Sequence, residues 1–211
     1  MTSGKLRLPE IRIKYAWLLS NAASVPMNEL YGKGKPLLNA EEYFKIADRY
    51  KKAWNPYEKK ILKGMCDLFG LEFRQNIIDV SIAPWFRAFS DPMVIGVIFS
   101  DEEFVACLTH ELLHRLLTDN TKLDYDIDLV EPWRQMYGKQ YSHITLVHIP
   151  VHAGVKAILL DVLNRPDLLK KEIDNSKDSA GYKEAWEYVE KNDYNEIIKK
   201  LREEVYKNDA V

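Results

Sequence analysis

The segment from Asp101 to Asp119 constrains this chain more than any other, because it reads as a helix buried on nearly every side that still carries ionisable groups at its centre. Ser100-Asp101-Glu102-Glu103 has the form of a capping box, with acidic residues favoured by the helix dipole, so a helix is expected to start at about Asp101. Phe104, Val105, Ala106, Cys107, Leu108, Leu112, Leu113, Leu116 and Leu117 then leave almost no polar stripe, the pattern of an interior helix that ends near Asp119 and Asn120. Within it sits Thr109-His110-Glu111-Leu112-Leu113-His114, an HExxH motif. Polar groups held in such a place cost several kcal/mol unless a partner satisfies them.

The spacing suggests the partner. Residues four apart on a helix lie one turn apart on one face, so His110 and His114 can direct imidazole nitrogens at a point about 2.0 to 2.1 Å from each, the distance zinc requires. Glu111 can then reach a water at the metal and act as general base without occupying a ligand position. The plainer alternative makes both imidazoles core residues bonded to backbone carbonyls, with Glu111 paired to Arg115 at i,i+4.

Around this helix the sequence predicts an α+β chain, mainly helical with a small mixed sheet. Ile11 to Ala23 fits neither the helical nor the strand period. Asn39 caps a helix running through Trp54, and Asn55-Pro56 restarts one that Gly70 stops. Ile77 to Ala83 and Met93 to Phe99 are β-branched runs punctuated by Pro84 and Pro92, and read as strands. Trp85, Phe86 and Phe89 around Arg87 read as core between them, with a lip facing a substrate as the alternative. Tyr182 to Tyr206, rich in Lys and Glu, reads as one or two surface helices. No repeat or glycine-rich linker divides the chain. It is read as one compact unit, 1–211, with an N-terminal helical part (1–76), a metal-site core (77–164) and C-terminal helices (165–211).

Helices, two strands and then the HExxH helix, over residues 77 to 164, resemble the zincin metallopeptidases. The resemblance implies a zincin-like fold, a zinc-dependent peptidase activity and a peptide or protein substrate. It also implies that Met93 to Ser100 is a sheet edge along which an extended substrate adds as a strand; the alternative is an internal member of the sheet. No HExxHxxGxxH continuation follows His114, which excludes the metzincin type.

A third ligand must come from farther along, and His143, His148, His152 and Glu131 are the candidates. His148-Ile149-Pro150-Val151-His152 is similar in position to the Glu-xxx-Asp of gluzincins, with histidines in place of both acids. Pro150 suits a first helical turn and disrupts an interior, so the simplest helix runs from Pro150 to Asn164. If Ser142 caps a longer helix instead, His148 and His152 share a face and His148 is the closer parallel. The histidine not bound to metal could orient a ligand or polarise a scissile carbonyl. Tyr137, Tyr141 and His143 are other donors, each with a plain reading as a loop or surface residue.

Composition narrows the rest. Net charge is −2, with lysines scattered rather than clustered, so nucleic acid is not an expected partner. The first residues lack an apolar targeting core, and no long uninterrupted apolar run suggests a membrane span, so the cytoplasm is the expected location. Cys66 and Cys107 give no CxxC spacing and read as buried hydrophobes in a reducing compartment. Asp124, Asp126 and Asp128 alternate like the start of a calcium loop, but the glycine and glutamate that such a loop needs are absent. The second candidate function is a closed site of His110, His114, His148 and His152, which would make the chain a metal-stabilised binding module without catalysis.

Overall fold

The structure is a computed structural model, and it describes residues 6–19, 29, 38–84, 87–121 and 130–205. It is α+β, mostly helical, with one small mixed sheet. Strand β1 (Glu10–Tyr15) precedes helices α1 (Ala40–Trp54) and α2 (Glu58–Phe69). Strands β2 (Ile77–Ala83), β3 (Ala88–Ser90) and β4 (Met93–Gly96) lead into α3 (Asp101–Asp119), the motif helix. Then follow α4 (Glu131–Tyr137), α5 (His143–Ala157) with a π-helical turn at Ile158–Val162, α6 (Pro166–Ser176), α7 (Ala180–Lys191) and α8 (Tyr194–Lys200).

The ambiguous N-terminal run is a strand as far as Tyr15 and turns helical at residues 17–19, so the N-terminal part is not helical throughout. Burial along the strand alternates, with Glu10, Arg12 and Lys14 exposed and Ile11, Ile13 and Tyr15 turned inward, and β1 lies in parallel against β2 with its register beginning at Glu10 opposite Ile77. Sheet order is β1-β2-β4-β3, with β4 parallel to β2 and β3 antiparallel to β4. Of the two readings of the strand at Met93, sheet edge or internal member, the internal one holds: β4 is buried at all four positions, and the short β3 takes the edge. Phe89 of β3 is 58% exposed, which corrects its assignment to the core. Trp85 and Phe86 lie outside the described residues, as do Asp124, Asp126 and Asp128.

Helix α1 begins at the Asn39 capping box, but Asn55 closes α1 rather than opening α2, which starts at Glu58 without a side-chain cap. Gly70 ends α2 at φ 67°, a left-handed position that favours glycine. Ser100 and Glu103 form the expected capping box on α3. Buried Tyr50 stacks on Phe104 with ring centroids 4.0 Å apart, and its hydroxyl donates to the carbonyl of Phe99 at 2.9 Å. The first turn of α3 is thereby seated against α1. Arg165 reaches Glu102 at 3.0 Å and Asn175 donates to Glu103, which docks α6 on the same turn.

Helix α5 starts at Ser142, whose hydroxyl accepts from the Thr145 amide, and it runs through Pro150. This is the longer of the two alternatives, and it corrects the simpler helix from Pro150. Cap and packing together outweigh the hydrogen bond lost at proline, since every residue from 148 to 155 is buried. A Cβ at Gly154 would stand 3.0 Å from Leu113 and from Phe69, so a bare backbone there lets α5 cross close to α3. A Cβ at Gly181 would stand 2.7 Å from Ile144, and this second close approach sets α7 on the start of α5. The segment His143–Val162 is long and apolar enough to cross a membrane, but 72% of its most apolar stretch is buried inside the protein, as befits a core helix.

The C-terminal stretch is two amphipathic helices that bury Ala185, Trp186, Val189, Ile197 and Ile198. One buried cluster takes side chains from β1 through to Leu201, and both cysteines are free and buried.

Candidate metal centre

Helix α3 presents His110 and His114 from successive turns, with their Nε2 atoms 3.1 Å apart. Two nitrogens each about 2.0 to 2.1 Å from a tetrahedral ion stand about 3.3 Å from one another, so this separation suits a shared ion. His148 of α5 completes the group: one ligand atom from each of the three imidazoles lies within 4.8 Å of the others. His110 and His148 are buried, and His114 is partly open. A metal ion could therefore be held by His110, His114 and His148.

The far nitrogens support the same use. His110 Nδ1 is 2.9 Å from Glu172 Oε1, a buried pairing in which the N–H donates and Nε2 is left as the lone pair facing His114. His148 Nδ1 donates to the carbonyl of Ile144 at 2.6 Å, and its Nε2 is buried without a partner among the described residues. An orphaned imidazole nitrogen costs roughly 1 to 3 kcal/mol, a penalty that an ion removes. Fixing the outer N–H selects the tautomer that coordinates through Nε2.

Charge follows burial. His148 is pulled down to about 3, chiefly by desolvation and then by the charge of His110. His114 falls well below the usual histidine range for the same reasons. Burial also pushes His110 down, but the hydrogen bond and charge of Glu172 outweigh it and the net direction is upward. Glu111 is pushed up to about 7 by burial, with His110 pulling it down and Glu172 raising it further. A carboxyl poised near neutrality can both take and return a proton.

His152, one turn beyond His148, is fully buried, and neither of its ring nitrogens has a partner among the described residues. Its ring stacks on Trp186 with centroids 4.1 Å apart and lies 5.4 Å from both His110 and His148. It is beside the group without belonging to it. Glu131 bonds to Arg134 within α4, His143 is exposed at the start of α5, and the rings of Tyr137 and Tyr141 meet Tyr188. None of these four joins the three imidazoles. The proposed Glu111–Arg115 pair is not formed either, since Arg115 binds Asp91 at 2.7 Å and Asp119 at 3.2 Å.

Two participants escaped sequence reasoning. Glu172 falls on the apolar stripe of α6 with Leu168, Leu169 and Ser176, and a carboxylate on a buried face was the available signal. Tyr182 covers His148 with centroids 3.8 Å apart, and burial raises its phenol. It had no signal, because the seating of α7 depends on Gly181. Beside His110 lies a cavity of about 260 Å³, bounded by Glu111, Glu172, Tyr182, Cys107 and by Ala88 and Phe89 of β3.

In comparisons with known proteins, no family model, no curated protein and no solved structure matched the chain.

Proposed function

We propose that the chain is a zinc-dependent peptidase of zincin type, with His110, His114 and His148 holding the ion and Glu111 as general base. One observation carries this reading: three imidazoles converge beside a buried carboxyl that has no hydrogen bond or ion pair among the described residues, at the wall of a cavity. Zinc bound there would supply Lewis acidity, lowering the pKa of a water toward 7 and polarising the scissile carbonyl.

The residues divide the remaining work. Glu111 takes the proton of the attacking water and returns it to the leaving nitrogen. Glu172 holds the Nδ1–H of His110, which keeps Nε2 turned to the ion. Tyr182 offers a phenolic O–H for charge developing on the carbonyl oxygen. The substrate is a peptide or protein segment, and edge strand β3 beside the cavity is where its backbone would pair. Free buried cysteines suit a reducing, cytoplasmic setting.

Glu111→Gln tests the reading. It is expected to keep full zinc content and lose hydrolysis of a peptide library, and turnover at the rate of the unaltered protein would refute the assigned base. A second reading is favoured by His152, whose two unpartnered nitrogens could make it a fourth ligand in a closed, non-catalytic site that stabilises a binding module. In that case chelation lowers the melting temperature and there is no turnover to abolish.

A further inference from the structure

The cavity wall carries a cation that the reaction does not use. Its ionisable residues are Glu111, Glu172, His110, Arg87, Cys107 and Tyr182. Glu172 and His110 answer each other at 2.9 Å. The guanidinium of Arg87 has no hydrogen bond or ion pair among the described residues, unlike those of Arg49, Arg115 and Arg165, each of which is paired with a carboxylate, and only the backbone carbonyl of Arg87 is engaged, by the Gly96 amide. Its charge is nevertheless felt inside, where it opposes the effect of burial on Cys107 and Tyr182 and weighs against the protonation of His110. The guanidinium stands just before β3, the strand along which a peptide would lie. Beyond it the cavity is lined by uncharged Asn175, Ser176 and Ser179, of which Asn175 donates to Glu103 and Ser176 to the carbonyl of Glu172.

An unpaired guanidinium at such an opening has a preferred guest. Its planar fork matches a carboxylate with two parallel hydrogen bonds, although Arg87 itself is exposed at the cavity mouth. The protein as a whole is slightly acidic and has no general attraction for anions, so any preference must be local. A divalent cation on the three imidazoles would add positive charge to the same space.

We propose that Arg87 selects ligands that bring a carboxylate into this cavity, either an acidic side chain beside the scissile bond or the terminal carboxylate of a peptide. As a statement about substrates this rests on the peptidase reading above. As a statement about recognition it stands apart from catalysis, and the two can be tested separately.

The probes are three short peptides: acetyl-Gly-Glu-Gly-amide, acetyl-Gly-Gln-Gly-amide, and acetyl-Gly-Gln-Gly with a free carboxyl end. Each is titrated by NMR into the full-length protein with its metal, and into the Arg87→Gln variant. One or both acidic peptides should bind about tenfold more tightly than the neutral one, and that advantage should vanish in Arg87→Gln. Whichever acid carries the advantage identifies the source as side chain or terminus. Equal binding of all three peptides, no binding at all, or an acid advantage that survives in Arg87→Gln, as direct ligation of the metal would give, overturns the proposal. If the acid advantage is present and lost with Arg87 while no peptide is ever cleaved, the recognition role holds and the peptidase reading fails.

Discussion

Helices α3 and α5 each carry two histidines four residues apart, and they use them differently. On α3 both imidazoles enter the metal group, while on α5 only His148 does and His152 turns its ring against Trp186. Spacing is the same in both pairs, so spacing alone does not assign a ligand. For His110 and His148 the difference lies in the outer nitrogen: Glu172 holds one and the Ile144 carbonyl holds the other, and each ring is thereby aimed. His152 has neither kind of anchor, and a stacked indole fixes its plane instead. A hydrogen bond to the second nitrogen aims two of the three imidazoles, while His114 joins them with no such bond at Nδ1 among the described residues.

Replacing the two α5 histidines in turn should break the comparison most sharply. His148→Ala is expected to lower zinc affinity by more than about a hundredfold, exceeding the loss usual for an outer partner, while His152→Phe changes it by less than about threefold. Competition against a chromogenic chelator measures both, and equal losses would erase the distinction. Removing the charge that aims His110 comes next. Glu172→Gln should cost about ten- to a hundredfold in zinc affinity with the fold intact by circular dichroism, and unchanged affinity would show that the tautomer needs no such support. The smallest effect concerns stability. His152→Phe retains a ring against Trp186 and removes two unsatisfied nitrogens, so the metal-free protein should gain on the order of 1 kcal/mol in a denaturant melt. A clear loss would mean that His152 has a polar partner on which the fold depends.

The same contrast separates what could be read in the sequence from what could not. Helix α3 was legible from end to end, because its cap, its apolar run and its paired imidazoles are all local: Ser100 bonds within four residues and His110 meets His114 within one turn. Helix α5 was legible only as a choice of two, since Pro150 is compatible with a first turn or an interior, and the deciding contacts at Ser142, Gly154 and Gly181 are spread along the chain. Glu172 and Tyr182 lie more than sixty residues beyond His110 in no shared motif. Only the docking of α6 through Arg165 and Asn175, and of α7 through Gly181, brings them in. The edge strand stayed open in the sequence because β3 is only three residues long, too short to show a period, and because sheet order does not follow chain order.

The account turns on the number of protein ligands at the metal. The direct measurement is an anomalous-diffraction structure of the zinc-loaded protein, with the absorption edge identifying the ion. Nε2 of His110, His114 and His148 should each stand about 2.0 to 2.1 Å from a single zinc, with solvent in the fourth position and His152 still stacked on Trp186. A nitrogen of His152 in that fourth position, or protein that takes up no zinc at all, would contradict it.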